Sequence, residues 1–160
     1  MGGPNKYYSF NNEELFKIFN KIKLNFISKG YQIIVIRSMR TPNSSIEFAH
    51  KELGEHGHIV SSVDKQAYLS ALALADNIIV TCDSTSMISE AAITGKPIYV
   101  AQMPAIKNNQ RFKSFFNLFE SLNIIKELDN SVENWTYSKL NETNKIAEQI
   151  KEKTKQHDFS

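Results

Sequence analysis

The densest polar stretch in the chain is Thr81-Cys82-Asp83-Ser84-Thr85-Ser86-Met87-Ile88-Ser89-Glu90. It reads as the end of an apolar strand, a turn with one acid and three hydroxyls, and a helix that Gly95 and Pro97 stop. A helix starting on such a turn leaves N–H groups without intrahelical partners, at the positive end of its dipole. That arrangement suits a phosphate, with Ser84 and Ser86 as the nearest hydroxyls. Ser86 and Glu90 are four apart and share a helix face. The hydroxyl would serve a diphosphate, and the carboxylate matches the paired hydroxyls of a ribose. Asp83, Ser84 and Thr85 read equally well as ordinary helix caps, which need no ligand. Glu90 does not fit a capping box, because Met87 rather than Ser or Thr stands three residues before it. A solvated surface glutamate is its other reading.

A second cluster, Arg37-Ser38-Met39-Arg40-Thr41-Pro42, follows a run of aliphatic residues. Arg37 and Arg40 flank Ser38 as an anion clamp would, or else pair with nearby acids in a solvated loop. A third, Gln102-Met103-Pro104 with Lys107-Asn108-Asn109-Gln110-Arg111, offers amides and cations to sugar hydroxyls, or is a polar loop and cap. Other features are plain. Glu55-His56-Gly57-His58 has no clear third and fourth metal ligand, so no metal is expected. Cys82 is expected to fill space at a strand end rather than attack. The chain has no glycine-rich dinucleotide or P-loop motif and no Tyr followed four residues later by Lys. Those absences weaken NTPase and epimerase readings, and no cofactor is implied.

The elements that must position these clusters alternate between two apolar periods. Leu15, Ile18, Phe19, Ile22 and Phe26 mark a helix that Gly30 closes. Tyr31 to Ile36 reads as a buried strand. Helix 44–53, strand 57–60, helix 65–75, strand 77–82, helix 84–94, strand 98–100 and helix 108–122 follow, the last with a stripe of phenylalanines. Leu140, Thr143, Ala147 and Ile150 define a final amphipathic helix, and the chain from Lys151 is charged. Strands read as continuous apolar runs between helices predict an α/β fold: a doubly wound parallel sheet, Rossmann-like, in a three-layer sandwich. Ligands of such sheets sit beyond the carboxyl ends of the strands, where all three clusters fall. Residues 1–150 form one domain and 151–160 a tail. Gly2-Gly3-Pro4 looks like the loop after a first, central strand for which there is no sequence, so a fragment is expected, or another segment fills the gap.

The length of 160 residues admits one well-buried domain. Nineteen Lys and Arg against seventeen Asp and Glu leave +2, too little for a protein that relies on a basic field to hold nucleic acid. One cysteine allows no internal disulfide. No apolar run spans a bilayer and no signal peptide is visible, so a cytoplasmic protein is expected.

Ala75 to Val100, with Gly2-Gly3-Pro4-Asn5 and Arg37 to Pro42 in the same order, resembles the mitochondrial-fission ELM-like family, which is related to the GT-B glycosyltransferases. The resemblance runs from Gly2 to about Leu122. It implies the carboxyl-terminal half of a GT-B fold, binding a nucleotide diphosphate sugar without a metal. Gly2, Gly3, Ser86 and Met87 would flank the diphosphate, Glu90 would bind the ribose, and Gln110 would supply an amide to the sugar. Many GT-B enzymes carry glycine where this chain has Asp83-Ser84, and the acceptor-binding half has no counterpart here. The chain alone would then bind weakly and transfer nothing. The alternative is a non-catalytic α/β interaction module, binding a protein or, peripherally, a membrane.

Overall fold

The computed structural model describes residues 1–129 and 131–139. The helix predicted over Leu140 to Ile150 and the tail from Lys151 lie outside the described residues. Helices begin where a short polar side chain takes a free N–H. Asn11 accepts from Glu14 at the start of α1 (Asn12–Asn25), Asp64 from Ala67 at α3 (Lys65–Leu74), and Asn109 from Arg111 at α5 (Gln110–Ser121). Pro42 precedes α2 (Asn43–Leu53). Gly30, at φ 88°, closes the short 3-10 turn Ile27–Lys29 after α1, and Gly95, at φ 73°, follows α4 (Thr85–Ala92). Lys96 reaches back and donates to Leu72 and Ala73 carbonyls at the end of α3, where a cation is favoured.

Five strands alternate with the helices: β1 (Ile33–Ile36), β2 (Gly57–Val60), β3 (Ile78–Thr81), β4 (Ile98–Ala101) and β5 (Ile125–Glu127). All pairings between these strands are parallel, as predicted, and a single antiparallel bridge joins Tyr8 to Ala105 outside them. β1 pairs with β2, Ile33 opposite Gly57. β3 pairs with β4, Ile78 opposite Ile98, and β4 with β5, Ile98 opposite Ile125. The fold is α/β, with parallel sheet flanked by helices in the doubly wound manner. β5 is not among the predicted strands. It is three residues long and polar at Lys126 and Glu127, so its apolar signal is too short to read.

The two ladders are separate. β1 and β3 share no pairing; they face each other across a cavity of about 820 Å³ lined by every residue of both. Burial follows this division. Every residue of β4 is buried. None of the four aliphatic residues of β1 is, and Ile34 is 53% exposed. Helix α3, apolar along most of its length, has no buried residue, and its Leu74 is 79% exposed.

The core lies around β4 and α5. Phe115 and Phe119 stack with ring centroids 4.2 Å apart, and Tyr99 meets Phe26 and Trp135 edge-on. The Tyr99 hydroxyl donates to the Glu133 carbonyl and accepts from its N–H, and Tyr137 donates to the Lys96 carbonyl. Segment 131–139 is thereby fastened to β4 and the turn before it. Trp135 and Tyr137 pack against the core. No helix among the described residues is long and apolar enough to cross a membrane.

Phe119→Ala, which empties a fully buried ring site, is expected to cost about 3–5 kcal/mol in urea unfolding. Leu24→Ala, on an exposed position, should stay within about 0.5 kcal/mol.

Candidate functional site

The loop after β1, the turn after β3 and the first residues of the chain meet at the carboxyl ends of the strands. Asp83 is the hub and has no exposed surface. Its Oδ2 accepts from the Gly3 N–H at 3.0 Å and from Arg40 Nη2 at 3.0 Å. Arg40 also donates to the Gly3 carbonyl at 3.3 Å. A Cβ on Gly2 would overlap the Asp83 carboxylate, and one on Gly3 would overlap the Arg40 carbonyl. The paired glycines are therefore required by backbone approach to Asp83 and Arg40. Thr41 binds the same segment: its hydroxyl lies 2.9 Å from the Met1 carbonyl and 2.7 Å from that of Gly2. Gly2 N–H donates to the Thr81 hydroxyl at 2.9 Å, and the Met1 amine donates to the Ile36 carbonyl at 2.8 Å.

Beside this clasp is a cavity of about 230 Å³ lined by Ser38, Met39, Arg40, Ser84, Thr85, Ser86 and Met87. It opens on the amino end of α4. Ser84, at the cap position, makes no side-chain cap bond, and its carbonyl accepts from Ile88 N–H at 3.1 Å. The N–H groups of the first turn thus have neither an intrahelical partner nor the side chain that usually takes one. The Thr85 hydroxyl is buried and unpartnered, as is Asp83 Oδ1. Met39, at the tip of the loop, is 87% exposed. Met87 lines both this cavity and the larger one between β1 and β3.

Of the ten expected site residues, Ser38, Arg40, Ser84, Ser86 and Met87 are brought together in this cavity. Gly2 and Gly3 lie behind it, against Asp83. Arg37 turns away to brace its loop, donating to Asn43, to the Ser61 carbonyl and to the Thr41 carbonyl. Glu90 stands farther along α4, exposed, accepting from the Tyr68 hydroxyl of α3 at 2.5 Å. Burial, together with that bond to a carboxylate, raises the Tyr68 pKa. Gln110 is an exposed first-turn residue of α5. Arg40 does pair with an acid, the other reading of its loop, but that acid is Asp83, 43 residues away, which spacing alone does not single out. The signal was the glycine pair, which marks close backbone approach whatever is approached. Burial pushes the Cys82 thiol up to about 12, so it stays protonated as a core residue. Among the described residues no three His, Cys, Asp or Glu side chains cluster as a metal site would.

A family model described as Mitochondrial fission ELM1 matches residues 1–154, which takes in every segment of this site. The chain belongs to that family. It is 30% identical over 159 residues to an uncharacterized protein of Rickettsia prowazekii (strain Madrid E), covering 94% of this chain and 44% of the relative. It is 29% identical over 133 residues to mitochondrial fission protein ELM1 of Arabidopsis thaliana, covering 80% of this chain and 31% of the relative. The chain spans less than half the length of either relative. No solved structure matches it. Family membership thus extends past the sequence resemblance, which ended near Leu122, to residue 154.

The clasp of this ELM1-family chain has two measurable consequences. Asp83→Ala leaves Arg40 without its carboxylate and is expected to destabilise by about 3–5 kcal/mol. The double change with Arg40→Met should cost less than the two single changes together, by denaturant unfolding. The second concerns the Met1 amine, which burial lowers from 8.0 to about 6 against the opposing pull of Asp83. The folded chain releases this proton near pH 6, whereas the unfolded chain holds it to about pH 8. The unfolded state carries more protons between those values, so stability rises with pH across the window and levels off above it. Two pK units correspond to about 2–3 kcal/mol. Acetylating the amine should abolish that rise.

Proposed function

We propose that this ELM1-family chain is a binding module rather than a catalyst, an α/β scaffold that offers its strand-end loops to a protein partner. The inward use of its polar residues carries this reading. Arg40 and the Gly3 N–H are spent on one oxygen of Asp83, the Gly2 N–H on Thr81 and Arg37 on bracing its own loop, and Glu90 holds Tyr68. The cavity left, about 230 Å³, is below the ~300 Å³ at which small-molecule sites begin. The exposed Met39 at its rim is the adaptable, polarizable kind of side chain that serves contact surfaces.

A second reading is supported by the uncapped start of α4. Its N–H groups, the Ser84 and Ser86 hydroxyls and the adjacent Arg40 suit a phosphate group. In this reading the chain is the donor-binding half of a GT-B-like glycosyltransferase. The diphosphate of a nucleotide sugar would sit at Ser86 and Met87, the ribose would displace Tyr68 from Glu90, and Gln110 would move toward the sugar. Asp83, neutralised by Arg40, would not repel the anion. Leaving-group charge would be met by the helix dipole and cations.

One titration separates the two. UDP, GDP and their sugars are added to labelled protein, amide shifts are followed by NMR, and released nucleotide is assayed. The module reading expects the amides of 84–90 to stay in place at millimolar nucleotide, with no release. Shifts at Ser86 and Glu90 that disappear in Glu90→Ala would replace it with the donor reading.

A further inference from the structure

We propose that the slot between β1 and β3 is the seat of one more apolar β-strand, parallel to both and continuous with the nitrogen of Met1. The slot is bordered along its length by Ile33–Ile36 on one side and Ile78–Thr81 on the other. Residues of α1 and α3, including Ile18, Phe19, Leu72 and Leu74, complete its lining. A parallel strand that is aliphatic throughout is expected to be covered on both faces, and β4 is. β1, Ile-Ile-Val-Ile, is at least as apolar and has no buried residue. α3 has an apolar sequence and no buried residue either. One missing neighbour explains both.

The ladder geometry points the same way. In β3 the N–H groups of Ile78 and Cys82 donate to β4 and the residue before it, at Ala101 and Pro97 carbonyls. With a period of two, the N–H groups of Ile79 and Thr81 are directed into the slot. Open strand edges of this kind are templates for a further strand.

The direction and source of the occupant come from residues 1 and 2. The Met1 nitrogen donates to Ile36, the last residue of β1, and the Gly2 N–H donates to Thr81, the last residue of β3. These two residues sit between the carboxyl ends of the bordering strands, and the chain then leaves toward Pro4. A polypeptide reaching Met1 through the slot runs from amino to carboxyl end alongside β1 and β3, which makes it parallel. The Met1 nitrogen already occupies the place of a ladder N–H. Both relatives are more than twice as long as the part matched here.

The test extends the full chain at Met1 with five residues, either Val and Ile throughout or Gly and Ser throughout. An extension alternating Thr and Val serves if the apolar one aggregates. Hydrogen exchange at Ile79 and Thr81 is the readout, with thermal melting beside it. The apolar or alternating extension is expected to slow exchange at both amides at least tenfold over the Gly/Ser chain and to raise the melting temperature. Ile34→Asp should cancel that protection while leaving the Gly/Ser chain's melting nearly unchanged, because Ile34 is half exposed there. Equal exchange in all extended chains would overturn the proposal. The apolar five-residue peptide is also added unlinked to the Gly/Ser chain, and protection by it with none from the linked strand would overturn the in-line source.

Discussion

A carboxylate shut away from water holds the strand ends of this protein together. Charge in the interior is tolerated only with a partner and filled hydrogen bonds. Asp83 finds that partner in Arg40 and a hydrogen bond in the Gly3 N–H, both at Oδ2 and from segments 43 and 80 residues distant in sequence, while Oδ1 is left unpartnered. The local architecture follows from it. Arg40 must stay near, so the loop after β1 folds over the turn after β3. The backbone at residues 2 and 3 must come closer than a Cβ permits, so both are glycine. The chemistry of the cavity follows too. With the acid neutralised, peptide dipoles and hydroxyls set the character of the α4 end rather than net charge.

Local pattern made most elements readable. Gly95 and the phenylalanine stripe placed α4 and α5 within two residues, because caps and stops act on their neighbours, whereas α1 ends at Asn25 and Gly30 closes the 3-10 turn that follows it. The parallel sheet followed from aliphatic runs between helices. β5 was not readable, since its identity as a strand comes from pairing with β4 rather than from its own three residues. The site was readable as a place and less so as a set of roles. Strand-end clusters did converge there, yet residue type could not tell a guanidinium that binds a ligand from one that binds Asp83. Arg37 shows the same limit: its partners are carbonyls of its own and a neighbouring loop, which no side-chain pattern announces. Glu90 was correctly excluded from a capping box, but its partner, Tyr68, comes from another helix.

The sheet shows what a pattern rule reveals when it fails. Continuous aliphatic strands imply cover on both faces. β4 satisfies the rule completely and β1 violates it, although the two sequences are nearly interchangeable in kind. The difference lies in their neighbours. β4 is flanked by β3 and β5, whereas β1 has β2 alone. A conflict between composition and burial is therefore information about a strand's neighbours.

Met87 gives this arrangement a last implication. The same thioether forms part of the wall of both hollows. An unbranched side chain with three torsions yields readily, so the partition is pliant. A group seated against it on the sheet side would therefore touch the same side chain that walls the chamber at the head of the helix.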